Sequence, residues 1–177
     1  MPSARKSLSD RIAHVSPSSL KKWRECPAMW CLHYLYKFDE DYGPKAWRGL
    51  AVEAGLDAVL FQRIKPDAAL AIAQQAFDDK AMGEVREDIE AERMKLGDYL
   101  QKATTKAIDW PVPLARQVRM EAAMDGVPVP VVGYADYLWP DVVRDLKTTS
   151  AMPSAPRPDD LIQASFYSYV QHVPAEL

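Results

Sequence analysis

At Trp110-Pro111-Val112-Pro113 the chain changes character, and the change divides it into a helical half and a strand-bearing half. Upstream, apolar residues recur at helical spacing. Ser16-Pro17-Ser18-Ser19 predicts a helix start, because a serine oxygen can accept from orphan amides of the first turn. Pro27 forbids one continuous helix through LKKWRECPAMWCLHYLYKF, which predicts two short helices meeting near Cys26-Pro27. Further helices are expected from about Pro44 to Arg63, from Asp67 to Lys80 and from Glu84 to Ile108, the last highly charged and placed on the outside. Downstream, ARQVRMEAAM, VPVPVVGYADYLW and VVRDLKTTS are valine-rich and alternate in polarity, with Asp125-Gly126 as a turn between the first two. A linker with three prolines, SAMPSAPRPDD, leads to an amphipathic helix, LIQASFYSYVQHV. Helices, a three-strand meander and a returning helix define an α/β (α+β) fold, with a central mixed sheet flanked by helices.

With 177 residues and 48% hydrophobic content, the chain suits one domain with a real core, expected over residues 16–177 behind a flexible tail at 1–15. A net charge of −3 argues against a protein that coats nucleic acid by bulk electrostatics. A local patch remains open: Arg5, Lys6, Arg11, Lys21, Lys22 and Arg24 face only Asp10 and Glu25, and equally describe a solvated helix face and tail. No stretch reads as a signal peptide or membrane span, so a soluble, cytoplasmic protein is expected. Cys26 and Cys31, five apart, fit neither a disulfide framework nor a CxxC site.

The strongest local argument is one of register. A turn centred between Pro140 and Asp141 places Asp136 directly opposite Asp145 on the neighbouring strand. Cross-strand neighbours lie roughly 4.5–5.5 Å apart at Cβ, and like charges there destabilise a sheet. A hard cation such as Mg²⁺ or Mn²⁺ would offset that repulsion. The period of two also sets Lys147 on the face of Asp145, so two carboxylates and an amine converge, a set suited to phosphodiester hydrolysis. The plain alternative is an exposed cross-strand ion pair. Glu53 and Asp57 are the only charges between Leu50 and Phe61, in a helix otherwise apolar on nearly all sides. A carboxylate there needs a partner, either a metal or a salt bridge. Gln163 and Tyr167, four apart, share one face of the last helix, which ordinary packing against the sheet would also explain.

In order and spacing these segments resemble the PD-(D/E)XK nuclease superfamily, in particular its RecB-like exonuclease branch of phage recombination exonucleases and CRISPR-adaptation nucleases. SPSSLKKWRECPAMWCLHYLY is similar to that branch's N-terminal helix, RGLAVEAGL to its ligand-bearing helix, GYADYLWPDVVRDLKTTS to its acidic strands and QASFY to its glutamine-to-tyrosine motif. The resemblance implies a restriction-endonuclease-like core and one nuclease-like domain over 16–177. It further implies metal ligation by Glu53, Asp136, Asp145 and the Leu146 carbonyl, catalysis by Lys147 with Asp136 and Asp145, and DNA or active-site support by Gln163 and Tyr167. Glu53 stands where much of the branch has histidine, and still offers a hard-metal oxygen. Cys26 matches one iron-sulfur ligand of some relatives, but three further cysteines are absent, so no cluster is expected.

The implied activity is a metal-dependent DNA nuclease, an exonuclease of recombination or repair. The alternative is a catalytically weak or inactive module that keeps the fold and binds DNA or a partner. Relatives continue beyond the Gln163 helix with at least one more strand, whereas this chain stops at HVPAEL. Either it is truncated or the fold is reduced, and an uncovered C-terminal edge would invite a second copy or a protein partner.

Overall fold

The computed structural model describes residues 11–38, 42–149 and 154–177. The chain forms two compact units, one from residues 1–40, 114–145 and 151–177, the other from 41–113 and 146–150.

The first unit opens with α1 (Pro17–Glu25), and the expected serine start is present in full. Ser16 Oγ accepts from the Ser19 amide (3.0 Å), and Ser19 Oγ accepts from the Ser16 amide (2.8 Å), a reciprocal capping box. Pro27 ends α1 as expected and begins α2 (Pro27–Trp30), which widens into a π-helical turn over Cys31–Leu35. The sheet order is β1 (Ala115–Ala122), β2 (Val131–Leu138), β3 (Val143–Arg144) and β4 (Ala175–Glu176). The first three strands pair antiparallel as a meander, and β4 adds parallel to β3, which makes the sheet mixed.

Two strands are shorter than their sequences suggest. The second begins at Val131 and not Val127, because Pro128 and Pro130 have no N–H to give to a ladder. The third ends at Arg144, so Lys147 lies beyond regular strand and the period-of-two argument for its facing does not apply. The residues after the last helix are also not what was expected: HVPAEL supplies β4, with the Val143 N–H donating to the Pro174 carbonyl (2.9 Å). The reading of 1–15 as a flexible tail, and of Arg5 and Lys6 as part of a basic patch, falls on residues 1–10, outside the described residues. Within 11–15, Ile12 is buried and Val15 forms a parallel bridge to Val131.

The helix α7 (Pro158–Gln171) packs Phe166 and Tyr167 into a core of Met120, Val131, Ala135 and Val143. Gly133 makes this approach possible. A Cβ there would lie 2.9 Å from Tyr167 Cε1 and 3.0 Å from Phe166 Cε1, closer than real side chains come.

The second unit is built from α3 (Pro44–Gln62), α4 (Pro66–Ala81), α5 (Ile89–Met94) and α6 (Leu96–Lys106). Prolines open α3 and α4, where a missing N–H costs nothing, and Arg63 closes α3 in a left-handed conformation. Trp47, Ala51, Val52, Phe77 and Leu96 form its core. The single charged helix expected over Glu84–Ile108 is two helices starting at Ile89, and its inner face is buried at Glu92, Leu96 and Leu100. Its other face, with Glu90, Lys95, Asp98 and Lys102, is exposed, as expected of a covering stretch.

Candidate active site

The hairpin between β2 and β3 turns on Pro140-Asp141, closed by the Trp139 N–H donating to the Val142 carbonyl at 2.9 Å. Tyr137 pairs with Arg144 and Leu138 with Val143. Extended one position beyond the end of β3, this register would set Asp136 opposite Asp145, as expected of an even turn; a three-residue loop would have slipped it. Asp145 is buried and Asp136 half-buried. The backbone of Asp145 is pinned from its other side, since its N–H donates to the Glu176 carbonyl of β4 (3.0 Å). The C-terminal residues thus help to fix a carboxylate.

From α7, Gln163 and Tyr167 reach this carboxylate. The Gln163 amide donates to the Tyr167 hydroxyl (2.7 Å) and lies 3.4 Å from Asp145 Oδ1, while Tyr167 donates to the Tyr134 carbonyl (2.5 Å). That hydroxyl stands 3.5 Å from Asp145 Oδ1, too far for a strong bond and with its one proton already committed. Burial pushes the Tyr167 pKa well above its ordinary value, and the negative charges of Asp145 and then Asp136 push it further. One phenol therefore senses both aspartates, and it stays protonated at any working pH.

Sequence reasoning missed Gln117. Its Nε2 donates to Asp136 Oδ1 (3.1 Å), and its φ of 48° is left-handed, a costly conformation for a residue with a Cβ. The β1–β2 pairing is broken at this point, since Val118↔Ala135 and Arg116↔Tyr137 pair but Gln117 and Asp136 do not. Core membership changes phase across the break: Ala135 belongs to the α7 core, and so does Val143, which pairs with Leu138 and not with an odd-numbered residue. Nothing in ARQVRM marks Gln117 in advance.

The chain passes from the first unit into the second between Asp145 and Leu146. In the second unit Leu146 packs against the Trp47–Phe77 core, and the Tyr99 hydroxyl donates to the Thr149 carbonyl (2.8 Å). Lys147 is half-buried between these two anchors. Glu53, on α3, is also half-buried, while Arg48 and Asp57 are the deeply buried charges of that helix. The structure thus gathers Asp136, Asp145, Gln163 and Tyr167 in the first unit, with Gln117 beside them, and places Glu53, Leu146 and Lys147 in the second. Among the described residues, no three His, Cys, Asp or Glu side chains form a ready cage for a cation.

The sequence profile of the PD-(D/E)XK nuclease superfamily matches residues 14–174, and the chain belongs to that superfamily. No curated protein and no solved structure matches it significantly. The mixed α/β architecture agrees with the superfamily fold. Among the described residues no helix is long and apolar enough to cross a membrane.

Proposed function

We propose that this chain is a metal-dependent deoxyribonuclease of the RecB-like branch, an exonuclease acting on DNA in cytoplasmic recombination or repair, of phage type. The observation that supports the reading is the even hairpin turn with Leu138 paired to Val143 and Tyr137 to Arg144, which would bring Asp136 and Asp145 together, and a Tyr167 whose pKa is raised by the charges of both aspartates.

The donor set fits a hard divalent cation. Mg²⁺ is commonly held by one or two carboxylates together with waters and substrate phosphate, so a two-aspartate half-site needs no third acid of its own unit. Asp136 and Asp145 would hold Mg²⁺ or Mn²⁺, with the Leu146 carbonyl and Glu53 as further oxygen ligands. When bound, such an ion lowers the pKa of water and stabilises negative charge on a phosphate. The protein's own groups do the rest. Gln117 holds Asp136 through its amide, β4 fixes the Asp145 backbone, and the Gln163–Tyr167 pair orients Asp145 Oδ1 without giving it a proton. Lys147 would donate to a non-bridging phosphate oxygen or orient the attacking water, stabilising charge as it develops.

Purified protein incubated with Mg²⁺ and linear or circular DNA, labelled at the 5′ or 3′ end, tests this reading. Shortening of linear DNA, absent with Asp145→Asn and slowed roughly a hundredfold with Lys147→Ala, is expected. DNA that shifts in a gel without shortening would instead identify a binding module.

A further inference from the structure

The first unit contains a second feature that the nuclease chemistry leaves unused. Where α2 widens, the Tyr36 N–H donates to the Cys31 carbonyl (3.2 Å) and the Phe38 N–H to the Leu32 carbonyl (3.0 Å), and Lys37 adopts a left-handed φ of 57°. π-helical turns are rare and concentrate at functional sites. Here the wide turn brings Lys37 and Phe38 back beside His33 and Tyr34. These four residues, with Ile12 and His14, line an open cleft of about 280 Å³. That is at the small end of ligand sites, the scale of one monomer unit and not of an extended ligand.

The chemistry of the lining is specific. Its titratable members are Lys37, His14, His33 and Tyr34, with no carboxylate among the described lining residues. Its rings belong to Tyr34, Phe38 and His33, and two of them extend a row through buried Trp30 to Trp23, with His33–Tyr34 centroids at 4.6 Å, Tyr34–Trp30 at 5.4 Å and Trp30–Trp23 at 5.2 Å. The Nδ1 atom of His33 is buried and has no hydrogen-bond partner, which a protein rarely tolerates without a ligand or water to satisfy it. Phe38, on the cleft wall, is 63% exposed, which leaves its ring face open to a ligand. Flat rings beside cationic donors are the combination that takes unpaired nucleotides, the base stacking on a ring and the phosphate meeting the donors.

We infer that the cleft holds one unstacked, phosphate-bearing nucleotide of a DNA strand. Its base would lie against Tyr34 and Phe38, and its phosphate would face Lys37 and the two imidazoles. The choice of DNA as the ligand rests on the nuclease reading; the cation-and-ring chemistry of the cleft does not. Thymidine 5′-monophosphate, thymidine and inorganic phosphate, each added to the full chain in chelator while the His33 imidazole is followed by NMR, test the site directly. A labelled short oligothymidylate, read by anisotropy under the same conditions, tests its use. The nucleotide should move the His33 signals at lower concentration than either fragment. Lys37→Ala and Phe38→Ala, both at exposed positions, should each weaken oligonucleotide binding about fivefold or more, the loss expected for one stacked base or its anchor. Unmoved His33 signals, equal response to phosphate alone, or wild-type binding by Phe38→Ala would overturn the proposal. Because these readouts need no cleavage, a protein that binds in this way but never shortens DNA would contradict the nuclease reading alone. One that cleaves but shows no His33 response would contradict this inference alone.

Discussion

Two acids, one in each unit, are buried almost equally, yet their surroundings differ in kind. Glu92 of the helical unit is 3% exposed and receives short bonds from two cations, Arg48 and Lys95, the latter at 2.7 Å. Arg48 also lies over the Tyr99 ring, 4.2 Å from its centroid. Asp145 of the sheet unit is 5% exposed, but the approaches of Gln163 and Tyr167 come from neutral groups at 3.4 and 3.5 Å. In the first, both carboxylate oxygens are bonded to a cation, although Arg48 Nε itself is buried without a partner among the described residues. In the second, two neutral donors stand at the outer limit of hydrogen bonding, and Asp145 is the residue proposed above to hold a cation. Burial alone therefore does not separate a structural acid from a functional one, and the quality and charge of the donors do.

The comparison can be broken by exchanging function against stability. The largest effect should be on cleavage: Asp145→Asn should abolish it, because an amide cannot supply the charge that holds a cation, while the fold keeps or gains thermal stability as the repulsion with Asp136 is relieved. Loss of folding in that variant would make Asp145 a structural acid like Glu92. In the opposite sense, Arg48→Met should leave Glu92 buried with half its compensation and destabilise the fold by about 3–5 kcal/mol in denaturant titrations. The pH dependence of Glu92 follows with its sign. Burial raises its pKa, but the bonds and charges of Lys95 and Arg48 outweigh this and hold it below the ordinary carboxylate value. Its contribution is thus present above the unfolded-state pKa and lost as pH falls through the folded one. The stability gap between wild type and Glu92→Gln should accordingly be widest near neutrality and close on acidification.

A smaller effect is expected where α7 meets β2. Gly133→Ala would push the Tyr167 and Phe166 rings apart, at a cost of about 1–3 kcal/mol, and should slow cleavage as well by moving the Gln163–Tyr167 pair. Smallest of all, Arg24→Ala removes the exposed pair with Asp159 that ties α1 to α7 at 2.8 Å, and should change stability by less than about 1 kcal/mol.

What could be read in the sequence was local. Ser16, Pro27 and Pro44 set helix boundaries through their own hydrogen-bonding capacity, and Pro140-Asp141 set the hairpin register through turn geometry. Gln163 and Tyr167 share a face because four residues make about one helical turn. What could not be read depends on distant partners. A two-residue strand such as β4 has no periodicity to detect, and it exists only because β3, some thirty positions earlier, offers it a free ladder. The left-handed Gln117 and the π-helical turn at Cys31–Leu35 are likewise imposed by packing against propensity.

The proposed completion of Asp136 and Asp145 by a divalent cation can be read from the melting temperature of wild type and Asp145→Asn, measured with chelator and then with Mg²⁺ or Mn²⁺. Wild type should gain stability with added metal, and the variant should be at least as stable as wild type in chelator and gain none. A wild type indifferent to metal, with a variant that melts earlier in chelator, would contradict it.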